Sequence, residues 1–194
     1  MNSYARSMTR AEQKEQSRER IIDAAVEEFA DQGFRAASTR AIAARAGVTQ
    51  GLVTYHFASK DELWRAAADR IFGRLDEGTP PGAVGSDEAA IRAHVAFSAR
   101  HPEVFHFMVD AGRHDDDRLR WLIDTHLERR FRAVAGSGGS TARAAHLYYA
   151  VVGAASLMFA VAPECRALTG RDPGSDAAIR AHADLLVAAF ASSS

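Results

Sequence analysis

The chain has a single cysteine, Cys165, among its 194 residues. One thiol excludes an internal disulfide and a cysteine-based metal cluster. Prolines number 5, and clusters of β-branched residues with period-two alternation are hard to find, whereas alanine is abundant. Together these point to an all-α protein. Long apolar runs are missing too. The best candidate, residues 147–162, contains Gly153 and Ser156 and falls short of the roughly 20 residues that a membrane span needs, so it is read as a buried helix. The opening Met-Asn-Ser-Tyr-Ala-Arg has no apolar core of a signal peptide, and a cytoplasmic protein is expected. A net charge of −1 gives no global basic signature. Residues 1–70 carry 11 Lys/Arg against 10 Asp/Glu, so any nucleic-acid binding must come from a local surface.

Catalytic signatures are equally scarce. The chain has 8 histidines, but none falls in a His-Glu-x-x-His or comparable spacing. No serine stands in a Gly-x-Ser-x-Gly setting, and Cys165 has no motif around it. Gly-Ser-Gly-Gly at 136–139 lacks the Gly-Lys-Ser/Thr that completes a phosphate-binding loop. No catalytic residue, metal site or cofactor is therefore expected.

What the chain does contain is helical periodicity. Residues 1–16 read as a polar, flexible tail; Arg6, Arg10 and Lys14 could form a minor-groove arm, although a solvated tail is the simpler reading. A helix is predicted over 17–32 from Ile21, Ile22, Ala25, Val26 and Phe29, ended by Gly33, with Phe34 packing back. Ser38 or Thr39 caps the next. Another helix is predicted from Ser59 to about residue 75, with Leu63, Trp64, Ala67, Ile71 and Leu75 on one face. Residues 76–86, with two prolines and three glycines, form the clearest break. Helices follow at about 87–100, 102–111 and 115–135. A nearly all-apolar helix over 140–162 is stopped by Pro163, and an amphipathic last helix spans 176–191. About nine helices result. The last two suggest a homodimer interface, because a helix without a polar face must be covered on all sides.

Thr39 to Phe57 is the informative stretch. Ile42, Ala43 and Ala46 form one buried face, and Val53 and Phe57, four apart, form another. Gly47 suits the left-handed position that closes a helix, Val48 folds back, and Thr49 can cap the second helix. This is the pattern of a helix-turn-helix.

Thr39-Arg-Ala-Ile-Ala-Ala-Arg-Ala-Gly-Val-Thr-Gln-Gly-Leu-Val-Thr-Tyr-His-Phe-Ala-Ser-Lys-Asp-Glu-Leu63 resembles the N-terminal domain of TetR/AcrR-type transcriptional regulators. The lead-in Phe29-Ala-Asp-Gln-Gly33-Phe34 and the tail His56-Phe57-x-Ser59-Lys60-x-x-Leu63 agree in register, so the likeness covers about residues 17–70. It implies a DNA-binding domain over 17–62, joined by a connecting helix to about 75, and a helical ligand-binding and dimerising domain over 76–194. It further implies a homodimer on a roughly palindromic double-stranded operator, most simply a repressor, released by a small-molecule effector that alters the separation of two recognition helices. Thr54 departs from the tyrosine many members carry; Tyr55 and His56 stand beside it to take over.

The second helix can be read residue by residue. With Val53 and Phe57 inward, Gly51 and Tyr55 point outward. Gln50 is placed to pair with adenine, Gly51 to let backbone approach the duplex, Leu52 to meet a thymine methyl, and Thr54 to flank that face. Thr39, Arg40, Thr49, Tyr55, His56 and Lys60 are candidate phosphate contacts, Lys60 the strongest. Against these stand plainer roles: Thr49 as a cap, Tyr55 as an exposed ring, and Arg45 as an ion-paired surface residue. Phe97, Phe105, Phe107, Met108, Trp121, His126, Tyr149 and Phe159 are candidate effector contacts in a pocket suited to an apolar or aromatic molecule, though each alone is more simply core. Two other functions compete: a dimeric small-molecule-binding protein without a DNA role, and a helical enzyme, which the absent motifs disfavour.

Overall fold

Thr9 opens the first helix. Its hydroxyl accepts from the Glu12 N–H at 3.2 Å while the Glu12 carboxylate accepts from the Thr9 N–H at 2.7 Å, a capping box that satisfies two otherwise unpaired donors. The computed structural model describes residues 9–79, 87–135 and 141–191. Helix α1 therefore spans Arg10–Ala36, and the flexible tail expected over 1–16 is corrected from residue 10 onward. Arg10 and Lys14 sit on a helix and cannot form an extended arm; Arg6 lies outside the described residues. At Gly33 the helix is broken by a left-handed φ of 72°, and Phe34 folds back to stack on Phe29 with ring centroids 5.9 Å apart.

Helix α2 (Thr39–Ala46) is capped by Ser38, whose hydroxyl accepts from the Ala41 N–H at 3.1 Å. Helix α3 (Gln50–His56) follows, then α4 (Lys60–Gly78), which starts at a Ser59 cap. The break expected at residue 76 begins later, because Asp76 is still helical; residues 80–86 lie outside the described residues. Helices α5 (Glu88–Arg100) and α6 (Glu103–Gly112) come next. Helix α7 (Asp117–Leu122), a π-helical turn (Ile123–Leu127) and α8 (Glu128–Ala135) form one continuous rod. The glycine-rich connector at 136–139 lies outside the described residues. The chain then runs through α9 (Thr141–Ala160), α10 (Ala162–Thr169) and α11 (Asp176–Phe190).

Pro163 ends α9, as expected, and also sits in the first turn of α10, where its missing N–H leaves no bond unmade. The two axes meet at 74°. This short helix was not foreseen. It brings the described residues to ten helices if the α7–α8 rod counts as one, against the nine expected.

Two cores organise the bundle. One joins Ile21, Phe29, Ile42, Val53, Leu63, Trp64 and Ile71 of α1–α4 to Phe97, Phe107 and Leu122 of α5–α7. The other joins Ile91 and Val95 of α5, Val151, Ala155 and Phe159 of α9, and Ala183 and Leu186 of α11. The first core runs through the boundary drawn from the sequence at residue 76. The helix-turn-helix thus shares its interior with the helices that follow it. Among the described residues no single helix is long and apolar enough to cross a membrane.

Candidate nucleic-acid interface and effector cavity

The helix-turn-helix closes as the sequence implies. Gly47 adopts φ 63°; its N–H reaches the Ala44 carbonyl at 3.2 Å, and the Val48 N–H reaches that of Ala43 at 2.9 Å. Arg20 of α1 adds a cap, its guanidinium donating to the carbonyls of Ala46 and Gly47. Ile42, Ala43, Ala46 and Val53 are buried. α3 is held from below and presents its other side to solvent.

On that outward side Gln50, Gly51, Thr54 and Tyr55 are exposed. Thr49 is exposed as well, and its side chain makes no capping hydrogen bond, so the plain reading of that residue as a side-chain cap is not what the structure has. A Cβ built on Gly51 would find nothing nearer than the Thr49 hydroxyl at 4.0 Å. The protein itself therefore does not require glycine there. The Thr54 hydroxyl donates back to the Gly51 carbonyl at 3.0 Å, Arg40 is exposed and Thr39 is half-buried at the start of α2. Arg45 is tied to Glu27, Glu28 and Asp31 at 3.0, 3.4 and 2.8 Å, the ion-paired surface role expected for it.

Three candidates have other attachments. Leu52 is half-buried and packs on the first core, so its methyls are partly spent inside. The His56 ring shares a hydrogen bond of 2.8 Å with the Ser17 hydroxyl; burial, then the charges of Lys14 and Arg18, hold its pKa below the usual histidine value, which favours a neutral ring. Lys60 has the most extensive of these attachments. Its ammonium donates to the carbonyls of Phe34 and Ala37 at 2.8 and 3.0 Å, with Arg35 at 3.4 Å, and lies 4.4 Å from the Phe34 ring centroid. Its donors are taken up by the α1–α2 turn, whose carbonyls have lost their helical partners at the Gly33 break.

The extended α1 gives Lys14 a place other than the minor-groove arm the sequence offered. Lys14 places its ammonium 5.3 Å from the Tyr55 ring centroid, at the edge of the exposed α3 face. The signal was present as Thr9-x-x-Glu12, a capping-box spacing.

A cavity of about 410 Å³ lies between the second half of α4 and helices α5, α6, α8 and α9. Of the eight effector candidates, Phe97, Phe105 and Met108 line it. The other five do not, each for a packing reason. Phe107 stacks on Trp64 at 5.3 Å inside the first core, and Trp121 meets Trp64 edge-on at 6.1 Å. His126, in the π-helical turn, stacks on Phe72 at 4.4 Å and bonds Asp69 at 2.8 Å. Tyr149 is 72% exposed, and Phe159 is buried in the second core.

The polar lining was not legible in advance. Ser98 and Ser156 share a hydrogen bond of 3.0 Å, and Ser156 is 3.5 Å from the His94 ring nitrogen. Burial, reinforced by Arg130, holds His94 down to a pKa of about 4, so the ring is neutral. Burial, with Tyr149 adding to it, raises the pKa of Tyr148, while Arg130 pulls it down. Arg130 lies over the Phe72 ring at 4.6 Å and donates to the His126 carbonyl at 2.8 Å and to Asp76.

Helix α4 is thus tied to the α7–α8 rod at three levels. Arg118 stands 4.0 Å from Asp61, His126 bonds Asp69, and Arg130 and Arg129 reach Asp76. Arg118 also lies over the Phe34 ring, 3.4 Å from its centroid. A change at the cavity wall therefore has a route of direct contacts to the helix that follows the helix-turn-helix.

Comparison with known proteins agrees with this architecture. Residues 21–67 match the family described as bacterial regulatory proteins, tetR family. The chain is 52% identical over 58 residues to the uncharacterized HTH-type transcriptional regulator TtgW of Pseudomonas putida, covering 30% of this chain and 42% of that one. It is 30% identical over 127 residues to the HTH-type transcriptional repressor KstR2 of Rhodococcus jostii, covering 58% and 59%. These matches span less than two thirds of the relatives' own length. A crystal structure of a TetR-like transcriptional regulator from Rhodococcus superposes with a TM-score of 0.61 at 24% identity, over 93% of this chain and 94% of that one, so the likeness of fold reaches the C-terminal helices. Residues 21–67, the helix-turn-helix with its lead-in and exit helices, are thus a domain of the tetR family of bacterial regulatory proteins.

Proposed function

We propose that this protein is a DNA-binding transcriptional repressor that works as a homodimer and leaves its operator when a small molecule occupies the cavity. The observation that carries the reading is the outer face of α3. Gln50, Gly51, Thr54 and Tyr55 are exposed together on a helix whose opposite side is locked into the first core. Gln50 reads a base, Gly51 admits the duplex backbone, and Thr49, Arg40, Tyr55 and Lys14 position phosphates. Residues 9–62 act as the DNA-binding unit and the remainder as the effector-binding and dimerising unit. α4 and the first core, which both share, couple the two. Repression follows from steric logic, and the word repressor in the name of the Rhodococcus jostii relative favours it.

A second copy of the chain is the natural cover for α9 and α11. α9 is apolar nearly all round, yet Tyr149 and Leu157 are exposed on it, and Leu185 is exposed on α11 at 64%. An isologous contact through these two helices would bury all three and present two α3 helices to one duplex.

Selection of bound sequences from a random DNA pool tests the reading. Recovered sites should show two-fold symmetry with half-site centres about one helical turn apart. Leu185→Asp should yield a folded chain of halved mass in sedimentation that loses the symmetric site. Recovery of no enriched sequence would support the alternative, a dimeric ligand-binding protein without a DNA role.

A further inference from the structure

We propose that the cavity takes an amphipathic monocarboxylate, whose acid group replaces Asp76 as the partner of Arg130 while its apolar body lies against Phe72, Phe105, Met108 and Val151. The inference rests on the regulator reading and deepens it by naming the chemical class of the effector.

The cavity wall is mostly apolar, which asks for an apolar body. The sign of the head group is decided by the few charges present. His94 is neutral and bonded into the Ser156–Ser98 chain, so that chain favours neither sign. Among the described residues of the lining, Arg129, Arg130 and Asp76 are the Lys, Arg, Asp or Glu side chains, two positive against one negative, and His101 is engaged by Glu103 at 3.2 Å. The field of Arg130 reaches across the space, because it lowers the pKa of both His94 and Tyr148. A cation would enter against that field, and an anion would enter with it.

Geometry makes the exchange cheap. Arg130 is the buried partner, its side chain 19% exposed, while Asp76 is 55% exposed. An ion pair with a half-solvated carboxylate is weak. Asp76 can turn to Arg129, already 3.5 Å away and on the solvent side, so it is not stranded when a ligand takes its place. Arg130 is meanwhile fixed by the Phe72 face and the His126 carbonyl and needs no reorganisation to receive a carboxylate. Asp76 is the last of the three acidic residues on α4 that pair with the α7–α8 rod. Its exchange from Arg130 to Arg129 moves the tie at the end of α4 furthest from α3 to the solvent side of the rod, while the pairs at Asp61 and Asp69 persist as a fulcrum.

Calorimetric titration of the full chain with decanoate, decan-1-ol and decylamine tests this without DNA. Decanoate should bind at least about tenfold more tightly than the alcohol, as expected for a charge-assisted pair, and the amine should bind most weakly. Arg130→Gln should erase the preference for the acid while leaving alcohol binding in place. Should that variant fail to fold, Asp76→Asn supplies the complementary reading: with the competing carboxylate gone, decanoate should bind several-fold more tightly. Equal binding of acid and alcohol by the unaltered chain, no binding of any probe, or an acid preference that survives Arg130→Gln would overturn the proposal. A chain that ignores all three probes but selects a symmetric DNA site would leave the regulator reading standing. Decanoate binding by a chain that selects no DNA would do the reverse.

Discussion

Asp110 of α6 accepts a hydrogen bond from the backbone N–H of Phe34 at 2.9 Å, directly over the left-handed turn at Gly33. A Cβ on Gly33 would come within 2.6 Å of the Asp110 carboxylate oxygen. Two separate constraints therefore select glycine at this position: the sign of φ and the closeness of α6. Deleting the acceptor in Asp110→Ala leaves a partly buried N–H unpaired and should cost about 1–2 kcal/mol in urea unfolding. Gly33→Ala loses about 1–2 kcal/mol for φ alone and more for the contact. Because removing Asp110 also removes the clash, the double variant should be less destabilised than the two single losses combined. Strict additivity would show that the carboxylate does not crowd residue 33.

Gly51 is the opposite case. Its φ is not left-handed, and open space surrounds its missing Cβ, so alanine suits the fold and should leave stability unchanged or raise it by up to about 1 kcal/mol. In the proposed complex with DNA the same methyl would stand between the helix and the groove. Gly51→Ala should weaken the selected site at least tenfold, about 1.4 kcal/mol, with no drop in melting temperature. Gln50→Ala should cost about 1–3 kcal/mol at a single base position. Unchanged affinity in both variants would move base reading off α3.

The contrast between these two glycines marks what the sequence could disclose. Helical type, the helix-turn-helix and its closure at Gly47 were legible because each is local: periodicity, caps and a positive φ are written within a few residues. Asp110 above Gly33 is bonded to a residue 76 positions away in sequence, and no local pattern announces it. The cavity failed for a related reason. Aromatic residues at helical spacing identify an inward face but not what the face meets, so Phe97, Phe105 and Met108 reached the cavity while Phe107 and Trp121 were claimed by Trp64. The charged pair Arg130 and Asp76 in the cavity wall has no local signature, and Asp76 falls in the sequence at the start of the predicted break. Only the crossing of α4 and α8 brings them together. The start of α1 was legible and was missed: Thr9-x-x-Glu12 carries the signal, but the polar composition of residues 10–16 outweighed it.

Lys60 separates a structural role from an electrostatic one. Its position before α4 suggests a phosphate contact, yet its ammonium satisfies carbonyls of the α1–α2 turn. Lys60→Ala should therefore destabilise the chain by about 1–3 kcal/mol. A direct phosphate contact would instead lower the slope of log affinity against log salt by about one unit. The structure favours the first effect, with a change in slope below one unit. Intact stability together with a full unit of slope would restore the phosphate role.

His94 makes stability depend on pH with a definite sign. Half-buried in the cavity wall and within the field of Arg130, it has a folded-state pKa of about 4 against 6.5 when unfolded. Between those values the unfolded chain binds the proton more readily, so the contribution of neutral His94 is complete above about pH 7 and fades as pH falls toward 4. Integrated to pH 5, the loss is about 2 kcal/mol. Urea unfolding at pH 7.5 and pH 5 should show it as a shift in midpoint. His94→Gln, which keeps an amide near Ser156 but cannot take up a proton in this range, should flatten that part of the profile. The cavity adds a further handle. A carboxylate bound beside Arg130 would offset part of that arginine's field at His94, so saturating decanoate should raise the histidine's folded-state pKa toward its unfolded value. The share of acid destabilisation that comes from His94 should then shrink. A profile that the His94→Gln variant leaves as steep as before would assign the acid sensitivity to other groups, among them His56, whose pKa is lowered in the same direction.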